Sequence, residues 1–461
     1  MDNRNRTPII YASEHLKLDS DVMNGGGTDQ TKEMQALLDR AKEWGGLYLV
    51  MDGALLVSHL TIHSNTTIFC LNRKCGFFQK AATNNALLEN ENLSFDTIGA
   101  ENIVLEGGTY NFNGPNQERQ DCPLEEMFNN GMLYSANVNF NKEETFNNFK
   151  HINMGFKFCG VKNLTLRNIR TVDQRIYAMF FACFEHVLIE NVAVDLPNGM
   201  DAQNQDGLHF QGPGRDLVIR NIRGCSGDDF LALTPDEFDF ESSITDVLID
   251  GVYLENADQG VRLLSRHNGR LDRVHIRNVY GTYKSFGFFI TPWYGVGEGE
   301  GKGNYGSLTF ENICLSHTYH KYHYTTPFLF RIGGKIENLT LRNIQYRQSN
   351  DTRPLVEIGQ YFRQEKDTSY AEVQQLVIDG LQVVNTEGTE QKTDYIVVDA
   401  EVDQAIVRNV QVINTRGADD TLLKLTPKGH IGDLQLSDVM ARGVRILGGD
   451  TDNIDNIRDK S

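Results

Sequence analysis

The chain reads as an all-β protein, a right-handed parallel β-helix with a short N-terminal capping helix. Three observations predict this. A six-residue unit recurs along the chain, its apolar residues alternate, and an Asn or Asp stands near its end. The unit reads Leu164-Thr165-Leu166-Arg167-Asn168-Ile169, then Val187-Leu188-Ile189-Glu190-Asn191-Val192, then Leu217-Val218-Ile219-Arg220-Asn221-Ile222. Later copies carry Asp250, Asn278, Asn312, Asn343, Asp379, Asn409 and Asp438 at the same place. Nine steps separate Asn168 from Asp438, so the mean period is about 30 residues, the range of solenoids and propellers.

Alternation of apolar and polar residues argues a half-buried strand rather than a helix. The Asn or Asp after it tolerates a left-handed backbone and bonds its own chain, as a turn requires. One such strand per coil stacks coils roughly 4.8 Å apart, and a column of Asn side chains can then bond along the stack. A leucine-rich repeat would need a recurring helical or 3-10 segment. A propeller would need blade markers, and two tryptophans in 461 residues supply none.

The first elements differ. Thr28-Asp29-Gln30-Thr31 precedes apolar residues at Met34, Leu37, Leu38, Ala41 and Trp44, and Gly45-Gly46 stops the pattern. This predicts an amphipathic helix within 28–46 that covers the open end of the solenoid core. The charged stretch 449–461 is expected to be a frayed tail. Between these ends, 1–461 reads as one domain. Steps of unequal length, from 23 residues (168 to 191) to 36 (343 to 379), predict loops of variable length on one face.

A net charge of −18 disfavours nucleic acid and anionic membrane surfaces as partners. No apolar run approaches the length of a membrane span. Seven cysteines without a regular framework, and no visible signal peptide, point to reduced thiols and a cytoplasmic setting. The sequence leaves a homo-oligomer open.

The candidate chemistry sits on neighbouring coils. Aligning the strands puts Asp206, Asp229, Gln259 and Phe286 in one column, with Gln205, Asp228, Asp258 and Ser285 beside them. His209, Ala232, Arg262 and Phe289 form a third, outward column. The groove then holds four carboxylates (Asp206, Asp228, Asp229, Asp258), an imidazole and a guanidinium. Stacked acids repel, which separates their protonation states as a general acid and a general base require. Glycoside hydrolysis uses such carboxyl pairs. Capping of the strand starts is the rival reading for each aspartate taken alone.

These motifs resemble the polygalacturonase-like glycoside hydrolases of family 28, within the pectate-lyase-like β-helix superfamily. That family carries Asn-Thr-Asp, Gly-Asp-Asp, Gly-His-Gly and Arg-Ile-Lys. Here Asn204-Gln205-Asp206 and Gly227-Asp228-Asp229 match the first two, with Gln205 in place of Thr. The pattern spans roughly residues 20–445, including Gly26-Gly27-Thr28-Asp29-Gln30-Thr31 near the start. The resemblance implies Asp228 as general acid, Asp206 and Asp229 activating the attacking water, inversion at the sugar, and no metal or other cofactor.

The other two motifs depart. Asp258-Gln259-Gly260 stands for Gly-His-Gly and Phe289-Ile290-Thr291 for Arg-Ile-Lys, so the expected substrate is not typical polygalacturonate. Arg262, Arg266 and His267 are candidate replacements for the missing sugar contacts. His209, Asp258, Gln259, Phe289 and Trp293 complete the candidate binding set, with Tyr294 and Tyr305 on the same glycine-rich loop. The histidines of 317–324 lack a nearby carboxylate or Cys pair and are not read as a metal site. The insertion around 113–150 would wall off one end of the groove and favour exo action. Two alternatives remain: a lyase or epimerase, in which His209 or Arg262 outranks Asp228, and a non-catalytic glycan-binding trimer.

Overall fold

The structure is a computed structural model that describes residues 7–118, 153–198, 204–237, 239, 241–292, 302–318, 327–347, 354–359, 371–385, 393–415 and 419–460. The fold is the expected right-handed parallel β-helix, almost all strand, with a single α-helix among the described residues. Where the sequence reads as one domain, the chain divides into two compact units at Leu231/Ala232, inside the strand Asp229–Thr234.

In the first unit each coil contributes up to three strands. One sheet runs through Ile9–Tyr11, Leu47–Met51, Thr66–Cys70, Ala100–Glu106, Phe156–Arg167, Met179–Glu190 and Leu208–Gly224, every pairing parallel. A second joins Ala54–Val57, Gly76–Gln79, Thr109–Asn111, Arg170–Val172 and Ala193–Asp195. Inward positions are the alternating apolar ones, such as Leu164, Leu166, Val187, Ile189, Leu217 and Ile219, all essentially buried. Each large aliphatic side chain so buried contributes about 1.5–3 kcal/mol. Register also stacks like on like: Phe158, Phe181 and Phe210 are successive partners, and the last two rings lie 4.6 Å apart and 9° from parallel.

The second unit repeats the scheme. Its long strands Ile244–Leu264, Leu271–Thr291, Asn304–His317, Gly334–Arg347, Ala371–Asn385, Glu401–Asn414 and His430–Arg442 pair in parallel. A second ladder continues from the end of Leu271–Thr291 through Phe328–Ile332, Val356–Ile358, Asp394–Val398, Asp420–Leu425 and Val444–Gly449. The expected frayed tail is corrected here. Ile454–Lys460 forms a strand paired with His430–Arg442, because Ile454 continues the buried apolar column and the strand finds a free edge.

The predicted amide ladders are present. Asn191 donates to Asn168 at 3.0 Å and Asn221 to Asn191 at 3.3 Å. In the second unit Asn278 donates to Asp250 at 2.6 Å, Asn312 to Asn278 at 3.1 Å, and Asn343 to Asn312 at 3.0 Å. Asn168, Asn191, Asn221, Asn278, Asn312 and Asn343 all have φ between 51° and 59°, a left-handed conformation that Asn adopts at low cost. One repeated residue thus makes both the turn and the bond between coils.

The helix spans Thr31–Trp44 and buries Met34, Leu37, Leu38 and Ala41 against the strands that begin the helical stack. Asp29 accepts the Thr31 backbone N–H at 3.0 Å, and left-handed Gly45 ends the helix. Gln35 accepts from the Thr61 N–H at 2.8 Å and donates to its carbonyl at 3.1 Å, completing that strand's edge as a neighbouring backbone would. Trp44, expected on the apolar face, is 42 % exposed, with Arg40 lying 5.4 Å over its ring. At the last turn the helix has already rotated away from the sheet.

Candidate active site

The three aspartates of the first unit lie on adjacent coils. The Gly207 N–H donates to the Asp229 carbonyl at 2.9 Å, and the Gly227 N–H to the Gln205 carbonyl at 3.1 Å. The first bond sets Asp206 level with Asp229, one inter-strand step apart, roughly 4.8 Å between backbones; the second lies two residues off that register, where the chain turns into the strand. Gly207 is required there, since a Cβ would sit 2.4 Å from the Phe230 carbonyl. Asp206 and Asp229 are buried, whereas Asp228 is half-buried. One Asp228 carboxylate oxygen accepts the Asn204 backbone N–H at 2.8 Å, and its carbonyl accepts from Ser226 Oγ at 2.8 Å.

His209, expected on the outward face, is on that face but 4 % exposed. Its Nδ1 lies 2.8 Å from Asp206 Oδ2, and its ring stacks on Tyr177 with centroids 4.5 Å apart and planes 5° from parallel. The Asp206 backbone is also fixed: its carbonyl accepts the Ala178 N–H at 2.9 Å and Gln174 Nε2 at 3.2 Å. Gln205, where the family has Thr, is fully buried and donates to the Gln174 carbonyl at 2.8 Å. The sequence reading overlooked Tyr177 and Gln174; counting one coil back from Asp206 would have found them.

The column of His209 continues through its register partner Phe180 to Lys157, Glu89 and Thr61. Lys157 is 1 % exposed, its Nζ 4.0 Å from Glu89, and burial pulls its ammonium below the usual lysine range. His59 Nε2 lies 3.2 Å from the same carboxylate. Burial opposes the charged form of His59, but the Glu89 carboxylate outweighs it and raises the imidazole above its ordinary value. Spacing alone gave no sign of this cluster, because Lys157 and Glu89 are 68 residues apart across the long insertion.

The second unit holds the other candidates. Gln259 pairs with Phe286 and Arg262 with Phe289, as the alignment predicted, after two register irregularities between Glu255 and Gln259. Arg262 is 3 % exposed, donates to Gln259 Oε1 at 2.8 Å, and lies 5.1 Å and 4.9 Å over the rings of Phe286 and Phe289. Asp258 accepts from Ser285 Oγ at 3.2 Å. The column goes on to Arg331, the partner of Phe289, and then to Glu357, the partner of Arg331, which the sequence reading had not followed.

Arg266 and His267 stand on a buried carboxylate. Asp236 accepts the backbone N–H groups of Arg266 at 2.5 Å, His267 at 2.6 Å and Gly269 at 3.0 Å. Burial still pushes its carboxyl up to about 7, against those three donors. Arg266 is 1 % exposed and donates to the Glu237 carbonyl at 3.1 Å. Tyr305 is core rather than groove: its hydroxyl donates to the Thr291 carbonyl at 2.6 Å and accepts the Ser265 N–H at 2.8 Å. Trp293, Tyr294, residues 319–324 and most of the 113–150 insertion lie outside the described residues. Among the described residues no group of three or more His, Cys, Asp or Glu is arranged to hold a metal ion.

No family model and no curated protein matches the chain. Solved structures do resemble it. An exopolygalacturonase from Thermotoga maritima matches at TM-score 0.49 and 10 % identity, covering 98 % of this chain and 92 % of its own. The family 28 exopolygalacturonase of Yersinia enterocolitica gives 0.45 and 12 %, covering 99 % and 78 %. The A-module of a mannuronan C-5 epimerase from Azotobacter vinelandii gives 0.46 and 11 %, covering 98 % and 99 %. The likeness is one of fold.

Proposed function

We propose that this protein is a glycoside hydrolase acting by inversion, with Asp228 as general acid and Asp206 and Asp229 as the base pair for water. The observation that carries this reading is the registered pairing of Asp206 with Asp229 on adjacent coils, with Asp228 beside them. A chain-capping role would account for one buried aspartate; it does not call for two buried ones at one level of adjacent coils. In the reaction the Asp228 carboxyl gives its proton to the glycosidic oxygen as the C–O bond breaks. Water adds to the anomeric carbon from the opposite face and loses a proton to the Asp206/Asp229 pair. One water is consumed, and a hemiacetal and an alcohol are released.

The substrate in this reading is a trimmed or short glycan attacked from its end, other than typical polygalacturonate. Phe289 and Thr291 stand where the family motif places cations, and Arg262 is already engaged by Gln259 and two rings. The cytoplasmic setting belongs to the same proposal. Incubation with a glycan panel, scored by new reducing ends and by NMR of the first-formed anomer, is the test. Inverted product from wild type and none from Asp228→Asn is expected. Unsaturated, ultraviolet-absorbing products would replace it by a lyase, and tight binding without cleavage by a glycan-binding protein.

A further inference from the structure

We infer that His209 is a positioning residue for Asp206, acting through a hydrogen bond that fixes the orientation of its carboxylate. The inference rests on the hydrolase reading above and adds a residue to its base. Three observations support it. His209 Nδ1 is 2.8 Å from Asp206 Oδ2, with both side chains 5 % exposed or less. In the base role Asp206 is ionised; a carboxylate accepts but does not donate, so the proton of this bond is then on Nδ1. The imidazole is fixed in its plane by Tyr177, stacked at 4.5 Å and 5°, and by Phe180 at 5.7 Å. Register makes Phe180 the partner of His209, so one side of the clamp is built into the strand of the coil below, and Tyr177 comes from the turn that leads into that strand.

The geometry also explains how residues i and i+3 meet at a strand start. Side chains three apart on a regular strand face opposite sides. Asp206 precedes the strand, which begins at Leu208, and Gly207 lets the chain turn closely over Phe230. The turn brings the carboxylate back over the imidazole. Ordering a base in this way is worth on the order of 10²-fold in rate, the cost of misplacing a reacting group by about 1 Å.

Two variants separate this role from packing and from substrate contact. His209→Phe keeps the stack on Tyr177 and removes the donor; His209→Asn keeps a donor at the Nδ1 position and removes the ring. With the glycan that wild type cleaves, His209→Phe should lower kcat about 10²-fold with KM within about threefold, and His209→Asn should recover most of the loss. If Phe is fully active and Asn is impaired, the ring is packing and the inference is overturned. A rise in KM at unchanged kcat overturns it in favour of substrate contact. Asp206→Asn is the control: if that variant is fully active, or wild type cleaves no glycan, the hydrolase reading fails first and the positioning role with it. Should His209→Phe not fold, His209→Gln, whose donor reaches the Nε2 position instead, takes its place and should not rescue turnover.

Discussion

Arg331 and Glu357, partners on adjacent coils, form an ion pair at 2.7 Å with each side chain 1 % exposed. The Arg331 guanidinium also lies 4.1 Å over the ring of Phe328, which stacks on Phe286, one of the two rings beneath Arg262. A buried pair of this kind organises its surroundings more than it stabilises them, because desolvation offsets most of the attraction. Removing one partner takes from the other buried charge its opposite. Arg331→Ala or Glu357→Ala should each cost about 3–5 kcal/mol, while Arg331→Met with Glu357→Leu should cost less than either single change. Denaturant midpoints of the three variants check this, and additive losses would contradict it.

The three aspartates should separate by kinetics. On the proposed mechanism Asp228→Asn removes the proton donor and should lower kcat by about 10²–10⁴-fold with a glycan whose leaving group needs protonation. A substrate with an acidic leaving group should recover much of that loss in Asp228→Asn, but not in Asp206→Asn or Asp229→Asn. Equal recovery in all three would show that the acid is misassigned.

Asp236 makes stability depend on pH with a defined sign. Its folded carboxyl is raised to about 7, mainly by burial. An unfolded Asp titrates near about 3.9, so between about 4 and about 7 the folded state binds the extra proton. Stability from this group is therefore greatest at the acid end of that window and falls as pH rises through about 7. Comparing unfolding midpoints of wild type and Asp236→Asn across the window should show wild type losing ground to the variant as pH increases. A constant difference would mean that the three backbone N–H donors hold Asp236 ionised throughout.

The amide ladder gives a prediction about conformation as well as bonding. Asn191 has φ 55°, donates to Asn168 and accepts from Asn221. Asn191→Ala loses both bonds and strains the left-handed turn, for roughly 1–2 kcal/mol or more in total. Asn191→Gly loses the same bonds without the strain and should be the milder change. Thermal melts of the two variants decide it; equal losses would place the whole cost in the side-chain bonds.

The capping helix was legible because its signals are local: an apolar face at helical spacing and Gly45 at the stop. The strands were legible for the same reason, since alternation and the turn Asn are written within each coil. Trp44 was misplaced because burial at a helix end depends on where the sheet stops. The tail was misread because charge density near Asp450 hid Ile454, whose value lies in a neighbouring strand edge. The level of Asp206 with Asp229 also followed from the repeat, and the bond from the Gly207 N–H to the Asp229 carbonyl agrees with it.

What the sequence by itself determined is the solenoid and the pairing of its aspartates, both consequences of a period that repeats one strand and one turn. The tertiary structure alone decided which side chains meet within each unit. Tyr177 stacks on His209 from 32 residues away, Glu357 neutralises Arg331, and Asp236 gathers the Arg266 and His267 backbone into a buried turn. Each depends on side-chain direction and burial between coils whose loops differ in length. A repeat fixes which positions stack, but the neighbours of each side chain are set only when the coils close and water is excluded.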